Sequence, residues 1–163
     1  MKLSKKVTLV GPFGVGKTSL FRRYIDNEFS EDYKSTLGVQ IQKKVINLDN
    51  GVELSLILWD TEGNMEITEG RSAYLMGSHA FIYVFDLTRV DTYKNINSQI
   101  KFLKDKFPNV IVKVIGNKID CVFKTKVAES LKEYDVNFDY LTSAKTGAEV
   151  ETIFNEIANQ LVK

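Results

Sequence analysis

The feature that most constrains this chain is Gly11-Pro12-Phe13-Gly14-Val15-Gly16-Lys17-Thr18, a G-x-x-x-x-G-K-[ST] run between a short apolar stretch and the start of a helical pattern. Glycines at 14 and 16 let backbone N–H groups turn inward around phosphate oxygens, and a helix N-terminus adds its positive dipole end. Lys17 is placed to neutralise β- and γ-phosphate charge, and the Thr18 hydroxyl suits Mg²⁺. Phosphate contacts are therefore expected from Phe13, Gly14, Val15, Gly16, Lys17, Thr18 and Ser19. Such a loop needs a strand before it and a helix after it, which commits the chain to an α/β fold.

The remaining pattern agrees. Lys6 to Val10, Val39 to Leu48, Val52 to Trp59, Ala80 to Asp86 and Val110 to Gly116 read as strands, separated by segments of helical period. Ile96, Ile100, Leu103 and Phe107 form one apolar stripe that Pro108 ends, and Val150, Ile153, Phe154, Ile157 and Leu161 form another. Thr146 with Glu149 predicts a capping box for the last helix. Asn50-Gly51 predicts a hairpin in place of a helical crossover. The expected fold is thus a P-loop NTPase: six strands, mostly parallel, one antiparallel strand at the edge, and helices on both faces. Residues 1–163 read as one domain, with no repeat, linker or low-complexity tract.

Composition removes other classes. A net charge of +1 exerts no general pull toward nucleic acid, and one cysteine in 163 residues can form neither an internal disulfide nor a zinc site, which fits a reducing compartment. The apolar Val7 to Val10 run is too short for a signal peptide, no stretch approaches a membrane span, and Gln160-Leu161-Val162-Lys163 holds no prenylatable cysteine. The expectation is a cytoplasmic monomer without a membrane anchor in this chain.

Asn117-Lys118-Ile119-Asp120 selects the base. A carboxylate at Asp120 accepts from both N1–H and the exocyclic amine of guanine, whereas adenine presents an acceptor at N1. The Lys118 stem can lie over base or sugar, and the Asn117 amide can bond the base and a neighbouring loop. Thr142-Ser143-Ala144-Lys145 follows the next predicted strand and strengthens this reading.

With these motifs in order along the whole chain, the sequence resembles the small GTPases of the Ras superfamily, and within them the Rab branch. The resemblance implies guanine readout by Phe29, Asn117, Lys118, Asp120, Ser143, Ala144 and Lys145, Mg²⁺ held by Thr18, Thr36 and Asp60, and GTP or GDP as ligand. It places Tyr33 over the phosphates, assigns Thr36 to switch I, and makes Gly63 a γ-phosphate contact in switch II, Trp59-Asp60-Thr61-Glu62-Gly63-Asn64. Effector and regulator proteins are then expected at the switches.

Several residues depart from the family pattern. Asn64 stands where the family has the glutamine that orients the attacking water, one methylene shorter, and Glu62 replaces a small alanine beside phosphate and metal. Phe13 stands where Ras has glycine, so it shields the γ-phosphate from an arginine finger; Arg71 is a candidate internal donor. Ile41 replaces the phenylalanine of the Rab hydrophobic triad, whose other positions are Trp59 and Tyr74. The catalytic candidates are Asn64 and Lys17. Two functions are in view: a slow GTP-hydrolysing switch, or a hydrolysis-deficient, GTP-bound scaffold. A nucleoside kinase using ATP is disfavoured by the base motif. His79 reads as structural, and Cys121 as a small hydrophobe.

Overall fold

The computed structural model describes residues 1–30, 38–61 and 73–163. Its elements are β1 (Lys2–Val10), α1 (Lys17–Asp26), β2 (Val39–Asn47), β3 (Glu53–Thr61), β4 (Ala80–Asp86), α2 (Ile96–Lys106), β5 (Ile111–Asn117), α3 (Lys124–Glu133), β6 (Tyr140–Leu141) and α4 (Val150–Leu161). One six-stranded sheet runs in the order β2-β3-β1-β4-β5-β6, with β2 antiparallel to β3 and every other pairing parallel. The hairpin turns at Asn50-Gly51 as expected. Gly51 sits at φ 80°, its N–H bonds the Leu48 carbonyl at 2.9 Å, and Asn50 Oδ1 accepts from Val52 N–H at 3.1 Å.

Alternation along β4 explains the two-layered core. Ala80, Ile82 and Val84 face α1 and α4, while Phe81, Tyr83 and Phe85 face α2 and α3. The first layer is locked by Tyr24 of α1 stacked on Phe154 of α4, ring centroids 3.8 Å apart. On β3 only one face is sealed: Leu54, Leu56 and Leu58 are fully buried, whereas Ser55, Ile57 and Trp59 on the other face are half-buried.

Two expectations need correction. β1 starts at Lys2, not Lys6, because its lysine-rich first half pairs in register with β3 from Lys2↔Glu53 to Lys5↔Leu56, and backbone pairing does not require apolar side chains. The capping box is absent. Glu149 occupies the N-cap of α4 in the left-handed region, φ 61°, without a side-chain cap, and Thr146 Oγ1 instead accepts from Ala148 N–H at 3.3 Å. The loop before the helix supplies its own turn: Gly147 N–H bonds Ser143 O at 2.8 Å and Val150 N–H bonds Gly147 O at 3.2 Å.

Candidate nucleotide-binding site

Five parallel strands deliver their carboxyl ends to one edge of the sheet, where ligands of open α/β folds bind. β1 leads into Gly11 to Thr18, β3 brings Asp60, β4 ends on Asp86, β5 ends on Asn117, and β6 leads into Thr142 to Lys145. Residues separated by more than a hundred positions meet there.

The loop after β1 has a specific architecture: each carbonyl from Gly11 to Val15 accepts a side-chain donor. Lys17 Nζ bonds Gly11 O and Pro12 O, both at 2.9 Å. Arg89 Nη2 bonds Phe13 O at 2.6 Å, Lys118 Nζ bonds Gly14 O at 3.2 Å, and Asn117 Nδ2 bonds Val15 O at 3.1 Å. Carbonyls bonded on the protein side orient the loop's peptide units in the way an anion-binding concavity of backbone N–H groups requires. Two glycines are required by close approach. A Cβ on Gly11, φ 143°, would lie 2.2 Å from Val84 O, and one on Gly16, φ 100°, would lie 2.3 Å from Asn117 Nδ2.

Lys17 is 5% exposed, and burial lowers its pKa to about 8, partly offset by the Asp60 charge and reinforced by Arg89. An ammonium held so is stabilised by an incoming anion. Thr18 Oγ1 donates to Asp60 Oδ2 at 2.6 Å, and Asp60 is fully buried. This pair fits Mg²⁺, which takes hard oxygen donors and is commonly held by one or two carboxylates together with phosphate and water. Among the described residues no cluster of three His, Cys, Asp or Glu forms an all-protein cage.

The other half centres on Asn117, 2% exposed. Besides donating to the P-loop, its Oδ1 accepts from Thr142 Oγ1 and from Ala144 N–H, each at 3.2 Å. Asp120 is exposed; Ser143 Oγ donates to its Oδ1 at 2.6 Å and Cys121 Sγ to its Oδ2 at 3.3 Å. Desolvation pushes the Asp120 carboxyl up, but these bonds, its own backbone and the Lys145 charge outweigh that and hold it below the ordinary range, so it stays an anionic acceptor. The Lys118 ammonium pairs with Asp86 Oδ2 at 2.6 Å as well as with Gly14 O, which anchors the head group while leaving the stem to the base or sugar. Lys145 is exposed, and Phe29 is 36% exposed just beyond α1.

Thr36, Gly63, Asn64, Tyr33, Glu62 and Arg71 lie outside the described residues. Ile41 pairs directly across from Trp59, Lys6 Nζ lies 3.7 Å from the Trp59 ring centroid, and the same ammonium bonds Tyr74 O at 2.8 Å. Ile41 and Trp59 are thus cross-strand neighbours, and Lys6 ties Trp59 to the Tyr74 backbone. His79 is structural as expected: its Nδ1 accepts from Lys6 N–H at 3.0 Å. Cys121 corrects expectation, being exposed, with its thiol pKa raised by desolvation and by Asp120.

Sequence reasoning missed Arg23, Asp86 and Arg89. Arg23 of α1 donates to Ala144 O at 2.7 Å and Lys145 O at 2.6 Å. A local signal existed only for Asp86, an acid closing an otherwise apolar strand.

The Ras family profile matches residues 6–163. The chain is similar to the Ras-related protein YPT3 of Nicotiana plumbaginifolia, 37% identical over 97% of this chain and 74% of that one. It is also similar to the Ras-related protein RABA1c of Arabidopsis thaliana, 35% identical over 96% and 74%, and to Rab11D of Lotus japonicus, 36% over 97% and 74%. Described helices include none long and apolar enough to cross a membrane. A phosphate-loop architecture, a base motif wired into it, and relatives of this kind along the whole sheet lead to one assignment: the chain belongs to the Ras family, as a Rab-like small GTPase.

Proposed function

We propose that residues 1–163 form one G domain, a monomeric cytoplasmic switch that binds GTP or GDP with Mg²⁺ and hydrolyses GTP slowly. The observation that supports this most is the buried Asn117 amide, which joins the P-loop at Val15 to Thr142 and Ala144 in the second base loop. Asp120 then receives the guanine N1–H and amine, the Ser143 and Ala144 backbone reads the guanine oxygen, and Phe29 lies against the ring. P-loop amides from Phe13 to Ser19 and the Lys17 ammonium hold the phosphates. Thr18, Asp60 and Thr36 would hold Mg²⁺, which would supply neutralisation of phosphate charge. Gly63 contacts the γ-phosphate and Asn64 orients the attacking water. Ile41, Trp59 and Tyr74 form the face on which effector and regulator proteins dock as the switches respond.

The second reading, a GTP-bound scaffold that does not hydrolyse, is favoured by Phe13, whose ring stands 40% exposed on the P-loop where it would obstruct an incoming arginine. Single-turnover hydrolysis of preloaded GTP with Mg²⁺ separates the two. The switch reading predicts a rate within about tenfold of the intrinsic Ras value, roughly 3–5 × 10⁻⁴ s⁻¹. Intact GTP after a day would overturn it in favour of the scaffold. The paired change Glu62→Ala with Asn64→Gln is expected to accelerate the reaction.

A further inference from the structure

A charged strap centred on Asp86 and Arg89, neither of them in a motif, reaches the phosphate loop from the end of β4. Asp86, wholly buried, ends that strand; its Oδ1 accepts from Thr88 N–H at 2.8 Å and from the Thr88 hydroxyl at 2.6 Å. Its Oδ2 faces two cations, Lys118 Nζ at 2.6 Å and Arg89 Nε at 3.3 Å. Each cation continues to a P-loop carbonyl, and the two carbonyls are consecutive: Gly14 O for Lys118 and Phe13 O for Arg89.

A peptide unit is planar and trans, so its C=O and N–H point in opposite directions. Fixing Phe13 O toward Arg89 therefore turns Gly14 N–H to the far side of the loop, as fixing Gly14 O turns Val15 N–H. Successive amides aimed to one side are what an anion-binding concavity consists of. The guanidinium also lies close to the loop itself, with Nη1 and Nη2 both 3.7 Å from where a Gly14 Cβ would stand. Its field reaches Lys17, whose ammonium it disfavours. An anion in the cradle relieves that repulsion. The neighbouring turn does not depend on the guanidinium, because Arg89 O accepts from Thr92 N–H at 3.1 Å and from Thr92 Oγ1 at 2.7 Å through the backbone alone.

We infer that Arg89 is a positioning residue for nucleotide retention: anchored on Asp86, it holds the Phe13 peptide so that the P-loop amides face the phosphates, and it adds positive charge beside Lys17. The inference rests on the guanine-nucleotide reading and names a residue that reading does not contain.

The test is release of mant-GDP, preloaded with Mg²⁺ and chased with excess GDP, from the unaltered chain and three variants. Loss of one charge-assisted hydrogen bond predicts release about tenfold faster for Arg89→Ala. Arg89→Lys, which keeps a cationic donor, should return release to within about threefold of the unaltered chain, whereas Arg89→Gln, similar in length but uncharged, should not. The advantage of Arg over Gln should shrink as ionic strength rises past about 0.15 M. A merely structural role would not separate Lys from Gln or respond to salt. An unaltered chain that retains mant-GDP while Arg89→Ala releases it equally slowly would overturn this inference alone. An unaltered chain that takes up no mant-GDP would overturn the proposed function, and this inference with it.

Discussion

The two halves of the proposed site are built on opposite electrostatic plans. On the phosphate side three cations, Lys17, Arg89 and Lys118, all bond P-loop carbonyls, and Lys17 carries a pKa lowered to about 8 by burial. On the base side the working groups are satisfied before any ligand arrives: Asn117 has three protein partners, and Asp120 is held by a hydroxyl and a thiol. The contrast teaches that the base half is preorganised, whereas the phosphate half is completed by the charge of what it binds. Binding should thus depend on pH and salt through the phosphates and on hydrogen-bond geometry through the base.

The largest break in this comparison is expected from Lys17→Ala. It removes the buried ammonium and with it charge-assisted bonds to phosphate, so calorimetry should show GDP affinity reduced about 1,000-fold. Asp120→Asn attacks the other half. It replaces an acceptor by a donor, so GTP should weaken about 100-fold while xanthosine triphosphate gains, and competition binding reads both. Arg23→Ala sharpens the contrast, because it frees the carbonyls of Ala144 and Lys145 without touching the P-loop. A loss of about tenfold in GDP affinity that does not change with salt is the expected result.

The smallest effect concerns protons. Lys17 in the nucleotide-free chain titrates near 8, below its ordinary value, and a bound phosphate favours its charged form. Binding therefore takes up a proton above pH 8, and GDP affinity should fall by less than about tenfold between pH 8 and 9 while staying flat in this contribution below pH 7. Calorimetry in buffers of different ionisation enthalpy measures that uptake directly. For folding the sign is set in the same way: the unfolded chain binds more protons between pH 8 and 10.5, so Lys17 makes the nucleotide-free chain more stable as pH rises through that window.

What was legible in the sequence follows from how local each signal is. The P-loop, the Asn117 to Asp120 motif and the Asn50-Gly51 hairpin are runs of a few residues, and β4 reads cleanly because both its faces are buried. Arg23 and Arg89 were not legible, since their partners lie 121 and 76 positions away and only the topology brings them together. The extra half of β1 was hidden by its lysines, which the pairing with β3 tolerates. The expected cap at Thr146 failed for a related reason: the tight turn from Ser143 to Gly147 uses Thr146 Oγ1 before the helix begins.

The measurement that tests the central claim most directly is a calorimetric titration of the nucleotide-free chain with GDP and, separately, ADP in Mg²⁺. A site built to pair with the guanine edge rejects a base that lacks those donors, so GDP should bind at least about 1,000-fold more tightly. ADP binding within tenfold of GDP would contradict the account.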